Sequence, residues 1–102
     1  MIINEEVKSI IEGSAFIVLV TINSDGTAHP IVAGKGTVSG DSVIFGIYKM
    51  EVTQKNLLAN SNASVVAAVK SESGAKGVRL TGTAKAEDKQ IIFAASKVEA
   101  LL

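Results

Sequence analysis

The chain has 102 residues, 47% of them hydrophobic, with ten Lys+Arg balanced by ten Asp+Glu. That length and hydrophobic share suit a single domain over residues 1–102 with its own core, and argue against a disordered chain. Zero formal charge and one arginine, Arg79, leave no electrostatic footprint for nucleic acid, while the absence of Cys removes disulfides, thiolate metal sites and thiol catalysis together.

The opening MIINEEVKSIIEG is acidic where a secretory leader needs basic residues, and no later run reaches membrane-spanning length, so the expectation is a soluble, cytoplasmic protein. Asn4 is a good N-cap, Glu5 and Glu6 suit the positive end of a helix dipole, and Val7, Ile10 and Ile11 share one face before Gly13. A short amphipathic helix follows from that spacing. SAFIVLVTI is too continuously apolar and β-branched for a surface element, which makes Ala15–Ile22 a buried strand entering a hairpin at NSDG. The returning strand, from Thr27, loses a backbone donor at Pro30 and side-chain cover at Gly34 and Gly36, as at an edge, a bulge or a close ligand. VSGDS is a second hairpin turn and SVIFGI a third strand.

A helix of mixed polarity then precedes a fourth strand, Ser64–Lys70, a loop, SESGAKG, and a fifth strand in which Val78 and Leu80 alternate with Arg79, Thr81 and Thr83. From Glu87 the spacing of Ile91, Ala95, Val98 and Leu102, broadened by Ile92 and Leu101, predicts a terminal helix with a wide apolar stripe. Five short strands, tight hairpins and peripheral helices imply a mainly β fold: a small antiparallel barrel, closed so that no strand edge is left bare. Apolar-striped helices on so small a chain also point to a homodimer.

Catalytic templates mostly fail. One histidine, His29, cannot build a multi-histidine metal site, no serine has a nucleophile elbow, and Asp25 and Asp41 are turn residues. GAKGVRLTG lacks P-loop spacing and leads into a strand where a P-loop needs a helix, so it reads as a hairpin loop. The remaining constellation is Lys49, Thr53, Lys55 and Asn56 around the first turn of the middle helix. Unpaired amides at a helix start, a hydroxyl and two ammonium groups make a phosphate cradle; equally, Thr53 can be a plain cap with both lysines in water.

The order LVTINSDGTAHP, GDSVIFG, TQKNLLANSNASVVAAV and VRLTGTAKA resembles the FMN-binding split-barrel superfamily, the group related to pyridoxamine 5′-phosphate oxidase and including the small bacterial FMN-binding protein. The likeness runs from about Ala15 to Ala86, and its most specific part is T-x-K-N-L-x-x-N followed by a small apolar strand and L-x-G-x-A. The resemblance implies a split β-barrel of Greek-key type with about six strands, flanked by short helices, and a dimer with FMN at the subunit interface. It also implies oxidoreductase or electron-carrier activity.

Carried over residue by residue, it sets Thr53 as the phosphate-binding hydroxyl, Lys49 and Lys55 as phosphate charges, and Asn56 as a residue securing the helix. The backbone of Val32, Ala33 and Gly34 would lie along the flavin ring, with Ile47 and Tyr48 near the ribityl chain. Three departures accompany it: Val52 replaces the Lys or Arg that many relatives place before the threonine, IVAGKG offers no aromatic or amide side chain, and the chain stops after the apparent terminal helix. They motivate the alternative of a non-enzymatic binding or sensing module that has lost flavin or takes haem or a deazaflavin. A purely structural dimerising domain, resting on the Ile91–Leu102 stripe, is a third reading.

Overall fold

A computed structural model describes residues 2–47 and 49–101, so Tyr48 and Leu102 of the expectations above lie outside the described residues. Among the described residues, nine elements follow in chain order: α1 (Glu5–Gly13), β1 (Ile17–Ile22), β2 (Ala28–Gly34), β3 (Thr37–Ser39), β4 (Ser42–Gly46), α2 (Glu51–Ala59), β5 (Asn62–Ser71), β6 (Gly74–Glu87) and β7 (Gln90–Ala100). All strand pairs are antiparallel, in one sheet of order β2-β1-β5-β6-β7-β4-β3.

The expected mainly β, split-barrel-like fold is present, but the hydrogen-bonded order does not close. Each edge is blunted instead. On β2, Pro30 removes one donor, and on the three-residue β3 the Val38 amide donates to the Glu12 carboxylate of α1 (3.0 Å).

Two expectations about the second half need correction. The segment after Glu87 is no helix: β7 lies inside the sheet, paired with β6 on one side and β4 on the other. The reason is a bulge. Between the Thr81–Lys97 and Gly82–Ala95 pairs, Ser96 has no opposite number, and its hydroxyl donates to the Thr81 carbonyl (3.0 Å). The inward set is Ile91, Phe93 and Ala95, then Val98 once the bulge has shifted the alternation. Positions 91, 95 and 98 therefore mimic helical spacing while serving a strand. The structural-domain reading, which rested on that stripe as a helix, loses its support.

SESGAKG is likewise no flexible loop. β5 and β6 extend to Ser71 and Gly74, leaving a two-residue turn closed by the Ser71 hydroxyl on the Gly74 carbonyl (2.6 Å).

Both helices pack on one side of the sheet. Asn4 caps α1 by accepting from the Val7 amide (2.9 Å), and Ser14 ends it, its hydroxyl donating to the carbonyls of Ile10 (2.6 Å) and Ala68 (3.0 Å). Val7, Ile10 and Ile11 of α1 and Leu57 of α2 join Ile17, Leu19, Phe45, Val65, Leu80, Ile91 and Phe93 in the core. Gly36, in the crossover from β2 to β3, passes so close to that core that an added Cβ would lie 2.8 Å from Val43 and 3.0 Å from Phe45. No described helix is long and apolar enough to cross a membrane.

Candidate functional site

α2 is held by polar contacts that its sequence makes legible only in part. Its buried residues are Thr53, Asn56 and Leu57, so two of the three are polar. Asn56 spends its amide on anchoring: Nδ2 donates to Thr21 Oγ1 (3.1 Å) and Asn23 Oδ1 (2.9 Å), tying the helix to the end of β1. Thr53 is different. It is 1% exposed, and its Oγ1 is a buried polar atom without a hydrogen-bond partner. Leaving a hydroxyl in that state costs on the order of 1–3 kcal/mol.

The helix start lacks a cap as well. Met50 occupies the N-cap position with no side-chain hydrogen bond, and the first amide seen to close a turn is that of Gln54, donating to the Met50 carbonyl (2.9 Å). The amides before it point out of the helix end with the positive end of its dipole. Lys49, just ahead, holds a left-handed backbone (φ 52°), an unfavourable conformation for a residue with a Cβ.

These groups border a cleft of about 320 Å3. Lys49, Met50, Glu51, Val52 and Thr53 form one wall, and His29, Ile31 and Val32 of β2 form the other. Of the residues singled out in the sequence, Val32, Lys49 and Thr53 meet here. Lys55 and Asn56 line a neighbouring cleft with Asn23, Ser24 and Asp25, across the ridge made by Val52. Ile47 donates its amide to the Lys89 carbonyl (3.0 Å) and faces a third depression beside Gln54 and Ala86. Ala33 packs against the core, and Gly34 takes a positive φ of 79° at the end of β2.

His29, which the sequence leaves between a ligand contact and a partly exposed histidine without a role, lies on this wall with Ile31 of the IVAGKG segment, and their i, i+2 spacing on β2 puts them on one face. Met50 and Glu51 are wall residues that the sequence does not single out. The Glu51 carboxylate suits the helix dipole and opposes an incoming anion.

Geometry and electrostatics thus give an anion-receptive helix end facing an edge strand. An open antiparallel sheet of split-barrel form, with such a helix start beside its edge strand, defines the class of fold. The chain belongs to the pyridoxamine 5′-phosphate oxidase family, whose model matches residues 3–99.

Solved structures agree at the level of fold. The chain is similar to HupZ of Group A Streptococcus (TM-score 0.81, 16% identity, covering 99% of this chain and 94% of that one). It is similar to an FMN-binding protein of Syntrophomonas wolfei subsp. wolfei (TM-score 0.79, 14% identity, 96% and 85% covered). A haem-binding protein of Mycobacterium smegmatis also shares the fold (TM-score 0.74, 14% identity, 92% and 52% covered). No curated protein sequence matches the chain at a significant level.

Proposed function

We propose that the protein is an FMN-binding split-barrel homodimer acting as a flavin-dependent oxidoreductase or electron carrier. The observation that carries this reading is the unpartnered, buried Thr53 hydroxyl at an uncapped helix start beside a cleft. A phosphate is the ligand such a place can use: it accepts from the first amides of α2 and from Thr53 Oγ1, with Lys49 at the mouth. Lys55 adds charge from across the Val52 ridge.

The outer edge of β2, hydrogen-bonded to β1 on one side only in the sheet order, offers the backbone of Val32, Ala33 and Gly34 to the polar edge of the ring. When bound, flavin supplies the redox chemistry; the protein binds its phosphate, orients the ring and keeps water from one face.

Thr53→Val tests the placement. It keeps shape and removes the donor, so FMN binding by fluorescence titration should weaken at least tenfold, the loss of a hydrogen bond to a charged group, roughly 1.5–3 kcal/mol. Riboflavin, which lacks the phosphate, should be unaffected. Equal weakening of both ligands contradicts the assignment.

A second reading has its own observation. His29 is half-buried on the cleft wall opposite α2, and Val52, 50% exposed, stands on the other wall where a further cation would favour phosphate. A sensing module that binds haem or a deazaflavin would use that wall. An absorbance titration separates the readings: a Soret band lost in His29→Ala favours haem, and a bound flavin spectrum favours the first reading.

A further inference from the structure

Building on the phosphate reading of the Thr53 cleft, we infer that the site takes its flavin as a dinucleotide. An adenylate, joined by a pyrophosphate to the flavin phosphate at Thr53, lies in the second cleft along α2.

A mononucleotide leaves that second cleft without an occupant. It holds about 270 Å3 between the β1–β2 turn and Val52, Lys55, Asn56 and Ala59 of α2. These helix residues recur at i, i+3, i+4 and i+7, a single stripe about 10 Å long. Val52 borders both clefts, so the two meet across one side chain.

A directed chain of hydrogen bonds shows what the second cleft lacks. The Asp25 carboxylate only accepts, so the Thr27 hydroxyl donates to it and accepts in turn from Asn23 Nδ2 (3.1 Å). Asn23 Oδ1 is thereby turned toward Asn56 and receives one hydrogen of its Nδ2 (2.9 Å), while the other goes to Thr21 Oγ1 (3.1 Å). Both donors of the Asn56 amide are spent. Its Oδ1 has no partner among the described residues, although Asn56 is only 7% exposed.

An acceptor so placed calls for a donor from a ligand. Adenine brings one in its exocyclic amine, next to a ring nitrogen that the Ser24 hydroxyl of the same cleft can serve. Guanine and hypoxanthine present a carbonyl at that position, which an amide oxygen repels. Val52 and Ala59 supply apolar surface for the face of the base.

Charge points the same way. Glu51 lines the first cleft and forms no ion pair among the described residues. A phosphate monoester is close to a dianion at neutral pH, whereas each phosphorus of a pyrophosphate diester carries a single charge. The Glu51 carboxylate therefore opposes FMN more than FAD. Lys55 stands across the Val52 ridge from Thr53, where the next phosphate of a dinucleotide would arrive.

Isothermal titration calorimetry of the full chain with FAD, FMN and flavin hypoxanthine dinucleotide, in which a carbonyl replaces the exocyclic amine, tests the assignment. FAD should bind at least tenfold more tightly than FMN, and the hypoxanthine analogue at least fivefold more weakly than FAD. Changing the ligand leaves Asn56, which anchors α2, untouched. Lys55→Ala, at an exposed position, should weaken FAD at least fivefold and FMN by less than half that factor. NADH, which carries the same adenylate without a flavin, should bind at least tenfold more weakly than FAD. Equal affinity for FAD and FMN overturns the inference and spares the flavin reading, as does an analogue that matches FAD or an NADH that binds more tightly than FAD. Failure of every flavin to bind overturns the phosphate reading and the dinucleotide together.

Discussion

Thr53 shows what a single buried atom can reveal. Evolution tolerates an unpaired hydroxyl in a core only at a cost, and valine has the same shape without it. Thr53→Val should therefore raise the stability of the ligand-free protein by about 1 kcal/mol, read as an increase in urea midpoint, while the same change weakens FMN. A lower midpoint would mean that the hydroxyl has a structural partner.

Asp25 gives a residue-scale prediction in pH. Its carboxylate accepts from the Thr27 hydroxyl and, at 3.0 Å, from the Thr27 amide in the β1–β2 turn, and these bonds hold its pKa below the ordinary 3.8. A lowered folded pKa gives stability that is complete above the unfolded value and fades as pH falls through the folded one. The stability gap between wild type and Asp25→Ala should be constant above about pH 5 and narrow below about pH 4. A gap that widens on acidification would contradict the sign.

At the scale of elements, the β6–β7 bulge governs the sheet's centre. An added Cβ on Gly82 would sit 1.9 Å from the Ala94 carbonyl oxygen, a clash with backbone that no rotamer relieves. Gly82→Ala should cost about 3 kcal/mol or more in chemical denaturation. An unchanged midpoint would refute the close approach.

The same bulge explains what could and could not be read in the sequence. α1 announced itself through Asn4, its acidic first turn and Val7, Ile10 and Ile11, all local signals that the structure keeps. The NSDG turn was equally local, and Gly26 takes the positive φ of 87° that it requires. β7 carries a helix-like spacing because an inserted residue converts a period of two into spacings of four and three, and only the pairing partners β6 and β4 resolve the ambiguity. β3 cannot be told from the VSGDS turn in the sequence, because three residues carry no period. At the site, a hydroxyl at the start of α2 was visible in the sequence. That it lies buried without a partner, and that His29 faces it across a cleft, depends on tertiary packing.

The molecule as a whole is tied together at Asp41, which sequence alone presents as a turn residue. Its Oδ1 accepts from the amides of Ile2 (2.9 Å) and Ile3 (3.0 Å), and its carbonyl accepts from the Ala95 amide (2.8 Å). One residue thereby joins the lead-in to α1, the β3–β4 turn and the strand beside the bulge. Asp41→Ala should lose about 2 kcal/mol and speed amide exchange at Ile2 and Ile3, while Asp41→Asn, which keeps an acceptor, should lose less. Equal effects of the two substitutions would show that the carboxamide oxygen cannot replace the carboxylate there.

The place of β7 between β6 and β4 has a consequence for biosynthesis. β4 emerges from the ribosome early, but its partner is translated only after α2, β5 and β6, so Val43 and Phe45 must remain unsheltered while most of the remaining polypeptide is made. A nascent chain stalled before Ile91 is then a natural client for a chaperone, and the pace of elongation through that interval sets how long the hazard lasts.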